Sequence, residues 1–563
     1  MIGKIVVTLV SLILVVGVVI GIVAVQHHED SKNGENTSTS MKSVTTICAS
    51  TDFKDACARS LGPVAKNSSA TTKDYILAAI QATINEVKKS EEVTSKQSVD
   101  AEKDPYNHMA VEDCKELLKY AVDELQASFS MVGDSELHTL NDRVSELMNW
   151  LSAVYSYQTS CLDGVENPEY KSAIKDGMVN ATQLTSNALS IVSQTSEILK
   201  AFNIPNINIK PNSRRLLEVN EIGHDGYPTW FSTADRKLLA ARPASRARPN
   251  AVVAKDGSGQ YRTISAALAA YPKNLRGRYV IYVKAGIYDE SVTVTYDQKN
   301  VFMYGDGPLR TIVTGHKNFG VMKITTMNTA TFAAVGQGFI AKSMGFRNTA
   351  GPVGQQAVAL RVQSDMAAIF DCRIEGYQDT LYYQAHRQFY RNCVISGTID
   401  FIFGKGSAVI QNSEIIVRRP GADQRWNTIT ADGRETDRQV TGLVLQNCRI
   451  VPERALFPVR FQIANYLGRP WKQFSTTVVM QSELGDLIHP QGWFPWQGEH
   501  FESSCNFYEF ANRGPGARTI RRSRSFTKFR VLGPREAWRY TAAAFIQGGL
   551  WLKYTTVPFL LGL

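Results

Sequence analysis

The sequence predicts a mainly β domain preceded by an all-α one, and three observations lead there. Between about Thr45 and Phe202 apolar residues recur at helical spacing. After Asn250 the chain breaks into short β-rich runs punctuated by Gly and Asn. Within that second half, residues of the same kind repeat at steps of 21 and 22 positions. A chain of 563 residues is also too long for one ordinary core.

The chain starts with Lys4 and an uncharged, Val/Ile/Leu-rich run from Ile5 to Val25 that ends at His27, His28 and Glu29. Residues 1–28 therefore read as a secretory address. The run is long enough to span a bilayer core of ~30 Å, so a retained signal anchor and a cleaved signal peptide both stay open. Either one exports the rest of the chain. Sequons at Asn36, Asn67 and Asn180 then become acceptors for glycosylation.

From residue 45 to 202 the series Ile76, Ile80, Ile84, Val87, then Cys114, Leu118, Ala121, Leu125, then Leu140, Val144, Leu147, Leu151, Val154, then Leu184, Ala188, Ile191 describe an antiparallel helical bundle. No acids, bases or metal ligands converge in it. Its four cysteines, Cys48, Cys57, Cys114 and Cys161, read as structural in an exported chain, and the absence of Cys-x-x-Cys argues against zinc-ribbon or redox chemistry. Residues 203–249 form a linker rich in Pro, Asn and Arg. It carries the near-repeats Arg214-Arg215-Leu216-Leu217 and Arg236-Lys237-Leu238-Leu239, the kind of exposed basic segment that enters a protease cleft.

Residues 250–563 carry runs such as Tyr279–Val283 and Val301–Tyr304, compatible with a sandwich, a propeller or a parallel β-helix. Gln356, Gln378 with Asp379, and Asp400 lie 22 and 21 residues apart, and Cys372 and Cys393 repeat the 21-residue step. One coil of a large β-helix uses about that length, and stacked coils bring residues one period apart to ~4.8 Å. Two amides and two carboxylates would then share one patch.

With 44% hydrophobic and 20% charged residues, the composition excludes disorder and a polytopic membrane protein. A net charge of +10 favours a polyanionic partner. For an exported protein this points to an acidic cell-wall polysaccharide and away from nucleic acid. Late basic residues, Arg518, Arg521, Arg522, Arg524, Lys528 and Arg530, are candidates for that attraction, or for a solvated face without a partner. Neither Gly-x-Ser-x-Gly nor His-Glu-x-x-His occurs.

Five blocks carry a resemblance: Val253–Gly259, Gln356–Arg361, Gly376-Tyr377-Gln378-Asp379-Thr380-Leu381-Tyr382, Gly397-Thr398-Ile399-Asp400-Phe401-Ile402-Phe403-Gly404, and Leu467-Gly468-Arg469-Pro470-Trp471. Together they resemble the pectin methylesterase family of plants, and the helical part resembles that family's inhibitor-like pro-region. The resemblance implies a right-handed parallel β-helix preceded by a four-helix bundle that is removed at the basic tetrapeptides. It implies a secreted, cell-wall enzyme that hydrolyses galacturonate methyl esters without a cofactor or metal. Its partners would be methylated pectin and an inhibitor, either this pro-region or a separate protein.

By the same resemblance Asp400 is the nucleophile, Asp379 the general acid and base, and Arg469 the cation that holds Asp400. Gln356 and Gln378 steady the oxyanion, while Thr326 and Trp471 touch substrate. Tyr382, Phe403 and Trp493 are expected to wall the sugar rings, and His386 to be a surface or structural residue. A pectate lyase remains the competing enzyme class, since fold analogy alone permits it. Two departures stand out. Lys405-Gly406 replace the family's Asn-Ala, leaving Lys405 to tune carboxylates, grip substrate acids or face solvent. Ser413 replaces a cysteine, so Cys393 is expected as a free, buried thiol.

Overall fold

A computed structural model describes residues 39–67, 69–136, 139–201 and 249–563. The apolar run 5–25, the sequon at Asn36 and both basic tetrapeptides lie outside the described residues.

In the first part, sequence-visible caps start the long helices. After the short helices α1 (Thr39–Cys48) and α2 (Lys54–Ala65), Thr71 and Asp74 form a reciprocal capping box at α3 (Thr72–Asp100). Asp104 caps α4 (Pro105–Asp134) and Asn167 caps α6 (Pro168–Ser193), each followed by a proline whose missing N–H costs nothing at that position. Between them runs α5 (Val144–Gly164). Short connections make α3 to α6 antiparallel neighbours, and their inward rows close a core containing Ile80, Leu118, Leu125, Leu151, Val154 and Leu189, all with no exposed surface. Disulfides Cys48–Cys57 and Cys114–Cys161 tie α1 to α2 and α4 to α5.

In the second part every strand pairing is parallel, and the strands form three sheets of 11, 7 and 8 strands that the chain visits in turn. This is a parallel β-helix. One corner of the coil needs a left-handed residue, and Ser343, Asp371, Asn392, Asn412 and Asn447 supply it on successive rungs with φ between 50° and 53°. Asn and Asp reach that region more readily than most residues because their short polar side chains bond locally. The residue after each corner points inward, which stacks Cys372, Cys393, Ser413 and Cys448 in a buried column. Ser413 accepts the Cys393 backbone N–H at 3.1 Å, and Cys393 is a free, buried thiol.

The seven-stranded sheet positions Tyr382, Asp400, Phe403 and Arg469. Its strands in chain order are β1 (Val292–Val294), β2 (Phe332–Ala334), β3 (Leu360–Val362), β4 (Leu381–Tyr383), β5 (Ile399–Gly404), β6 (Trp426–Asp432) and β7 (Ala464–Pro470). The main β-helix core is built wholly from residues after 250, and the bundle core almost wholly from residues before 200, so each part has the interior that independent folding requires.

The two parts meet along α4 and α5, which lie over this sheet. Tyr120 stacks on Tyr296 with ring centroids 5.2 Å apart, and Val335 and Ala385 of the β-helix join the bundle's apolar cluster. Polar contacts surround that seam. Asp113 accepts from Thr325 and Asn328, Glu124 pairs with His386 at 3.1 Å, and Asp52 pairs with Arg438 at 2.7 Å.

Candidate active site

Parallel register puts Arg361, Tyr382, Phe403, Ala431 and Arg469 in one column across β3 to β7. Tyr382 and Phe403, 21 residues apart, stack with centroids 4.4 Å apart and planes 12° from parallel. The residues just before β4 and within β5 continue the ladder: Ala357 donates its N–H to Gln378 O, and Asp379 donates to Ile399 O. Asp379 and Asp400 share a left-handed backbone, with φ of 60° and 49°. That conformation is strained for a residue with a Cβ and is the kind of feature that clusters at functional sites.

The two carboxylates sit in different electrostatic surroundings. Arg469 Nε donates to Asp400 Oδ1 and Oδ2 at 2.9 and 3.1 Å, and Nη2 donates to Oδ2 at 2.5 Å. Thr428 Oγ1 donates to Asp400 Oδ1 at 2.6 Å. Such charge-assisted, bidentate bonding fixes the orientation of the carboxylate. The guanidinium is itself held between Trp496 and Trp426, 4.1 and 4.8 Å from the two ring centroids. Asp379 has no such cation bonded to it. Burial pushes its carboxyl well above the usual range, the Asp400 charge adds to this, and Arg469 offsets only part. One carboxyl is thus biased toward its neutral form beside one held by a cation.

A cavity of about 320 Å³ opens on this pair. Gln356, Gln378, Thr326, Tyr382, Phe403, Arg469 and Trp471 all line it with Asp379 and Asp400. The buried Gln356 Oε1 has no hydrogen-bond partner, so an amide is poised in the cavity. The opposite wall comes from the bundle, with Tyr106, Asp113, Leu117, Ser160 and Asp163 among its residues. Among the described residues no group of His, Cys, Asp or Glu is arranged to hold a metal ion.

Comparison with known proteins completes the picture. Residues 250–549 match the model of the family "Pectinesterase", and residues 42–191 that of "Plant invertase/pectin methylesterase inhibitor". The chain belongs to the pectinesterase family. It is 43% identical to "Pectinesterase 4" of Arabidopsis thaliana and 40% to "Probable pectinesterase/pectinesterase inhibitor" of Brassica napus, each alignment covering 100% of both chains. The structure of pectin methylesterase from carrot is 49% identical, with a TM-score of 0.55. It covers 56% of this chain and 99% of its own, so a relative of the second part alone makes a complete fold.

Within this pectinesterase, one sequence expectation needs correction, and two that had stayed open are narrowed. Trp493 does not wall the cleft, for it is 1% exposed and stacks on Phe507 in the core, 4.2 Å between centroids. Trp496, three residues on and not singled out from the sequence, lines the cavity instead. His386 takes the structural one of its two expected places, buried between Glu124, Asn149 and Asp365. Lys405 does not face solvent. It is fully buried, donating to Asp163 at 2.6 Å and to Thr159 at 2.8 Å on α5. Of the late basic residues, Arg522 is a buried partner of Glu509 and Arg530 pairs with Glu536, which leaves Arg518, Arg521, Arg524 and Lys528 for a charged surface.

Proposed function

We propose that this pectinesterase hydrolyses galacturonate methyl esters of pectin, with Asp400 as nucleophile and Asp379 as acid and then base. The observation that carries the reading is the contrast between the Arg469-bound Asp400 and the buried Asp379 in one cavity. Asp400 Oδ attacks the ester carbonyl carbon, and the oxyanion that develops takes N–H donors from Gln356 and Gln378. As the C–O bond to the methoxy group breaks, Asp379 gives its proton to the leaving oxygen, releasing methanol and leaving an anhydride on Asp400. Asp379, now a carboxylate, takes a proton from water as that water attacks the anhydride. Asp400 is freed as a carboxylate, Asp379 is again protonated, and the galacturonic acid released loses its remaining proton to solvent. Thr326, Tyr382, Phe403 and Trp471 position the sugar chain.

Export to the cell wall is supported by the apolar run at residues 5–25 and by the exposure of Asn67 and Asn180. The pro-region's place over the cavity supports its acting as an intramolecular inhibitor until it leaves.

The test is product analysis. The part after residue 249, incubated with highly methylated pectin, is expected to release methanol and new acid groups in equal amounts. Unsaturated chain ends absorbing in the ultraviolet, without methanol, would establish a lyase instead.

A further inference from the structure

Lys405 and Lys472 take no part in the ester chemistry, yet both ammonium groups meet on one carboxylate. Asp163, at the end of α5, accepts from Lys405 at 2.6 Å through Oδ2 and from Lys472 at 2.7 Å through Oδ1. Asp163 lines the same cavity as Asp379 and Asp400. The Lys405 and Lys472 ammonium groups lie 4.9 and 5.8 Å from the Trp471 ring centroid, and that ring meets Phe403 edge-on with centroids 6.0 Å apart. Gly433 makes the arrangement feasible, because a Cβ there would come within 2.6 Å of the Trp471 ring and 2.9 Å of Lys405 Cγ.

The charge balance shows what removal of the helical part would leave. Around the two lysines, the β-helix supplies Glu435, 3.7 Å from Lys405 and 3.9 Å from Lys472, with exposed Glu499 acting on Lys472 from further away. Asp163 brings the close cluster to two positive and two negative charges. Without it, two ammonium groups face one close carboxylate, and Lys405 also loses Thr159 and its cover by Ser156. Lysine pairs of this kind seek an anion, since an uncompensated charge near the protein interior is costly. Burial opposes ionisation of Asp163, and the two ammonium groups outweigh it, so this seat selects an ionised carboxylate.

We propose that Lys405 and Lys472 form a carboxylate subsite of the cleft, and that in the freed β-helix it takes the acid group of an already demethylated galacturonate residue. Asp163 holds that seat while the helical part is docked. The subsite rests on the pectin reading, because a uronate stacked on Trp471 is the ligand that offers a ring and a carboxylate together. It also gives Lys405, which stands where the family pattern has Asn, a role in substrate choice.

Binding tests this without turnover. The part from residue 250 on is titrated calorimetrically with fully demethylated hexagalacturonate and with its fully methylated counterpart. In the Lys405→Asn/Lys472→Gln variant, affinity for the demethylated oligomer is expected to fall about 10- to 100-fold. Affinity for the methylated one should change less than about 3-fold, and the salt dependence of the first should flatten. Lys472→Arg, which keeps the charge, should retain the wild-type ratio of affinities. Lys472→Gln alone gives the same direction if the double variant is unstable. Equal loss for both oligomers, or no loss, overturns the subsite. Methanol release is scored separately: selective binding without methanol sinks the esterase reading alone, and normal methanol release with unselective binding sinks the subsite alone.

Discussion

Asp379 and Asp400 stand on consecutive coils with the same left-handed backbone, yet only Asp400 is bonded to a cation, Arg469. Register brings both carboxyls to one cavity, and β7, reached after a long loop, supplies the guanidinium that separates their behaviour.

Arg469 is therefore expected to matter for folding as well as rate. Arg469→Ala leaves Asp400 buried and unpaired, which typically costs about 3–5 kcal/mol. The β-helix part of this variant should melt well below wild type and lose activity. Arg469→Lys keeps a charge but not the two-pronged contact, and should melt closer to wild type while remaining slow. Thermal melts and initial rates of the two variants check this.

Asp379 links stability to pH. In the folded protein its carboxyl is raised above the ordinary 3.8, mainly by burial. Its favourable contribution is thus complete below about pH 4 and is lost as pH rises through the folded value. Asp379→Asn removes that loss. The variant should melt a few degrees above wild type at pH 7, with the gap closing toward pH 4, while its catalytic rate collapses.

Docking of the helical part should weaken as pH rises. Burial lifts Asp113 to about 6, against the hydrogen bonds from Thr325 and Asn328. Free of the interface its value returns toward 3.8, so the proton taken up on docking is worth about 3 kcal/mol, lost between pH 4 and 6. His386 adds a second step. Burial opposes its charge, but Glu124 and Asp365 outweigh both that and Arg387, raising the imidazole above 6.5. Its contribution persists until pH passes that raised value. With the linker cut, the two parts should co-elute near pH 5 and separate toward pH 8, and Asp113→Asn should abolish the lower step.

Some of this was legible in the sequence. The 21-residue step found Gln378, Asp379 and Asp400 because those coils carry no long loops, so sequence spacing equals rung spacing. After Phe403 the register partners lie 28 and then 38 residues on, at Ala431 and Arg469, so periodicity failed and only the Leu-Gly-Arg-Pro-Trp motif led to Arg469. Trp493 and Trp496 differ by three residues, and composition does not say which one turns inward. The Asp163–Lys405 and Glu124–His386 pairs join residues more than 240 apart across two domains, where no local pattern records the pairing.

The most direct test of the central claim is methanol release by the part after residue 249 carrying Asp400→Asn. The substitution keeps shape and removes the charge that attacks. Folded Asp400→Asn protein is expected to lose activity by about 1,000-fold or more, in line with removal of a covalent nucleophile. Wild-type rates from that variant would contradict it.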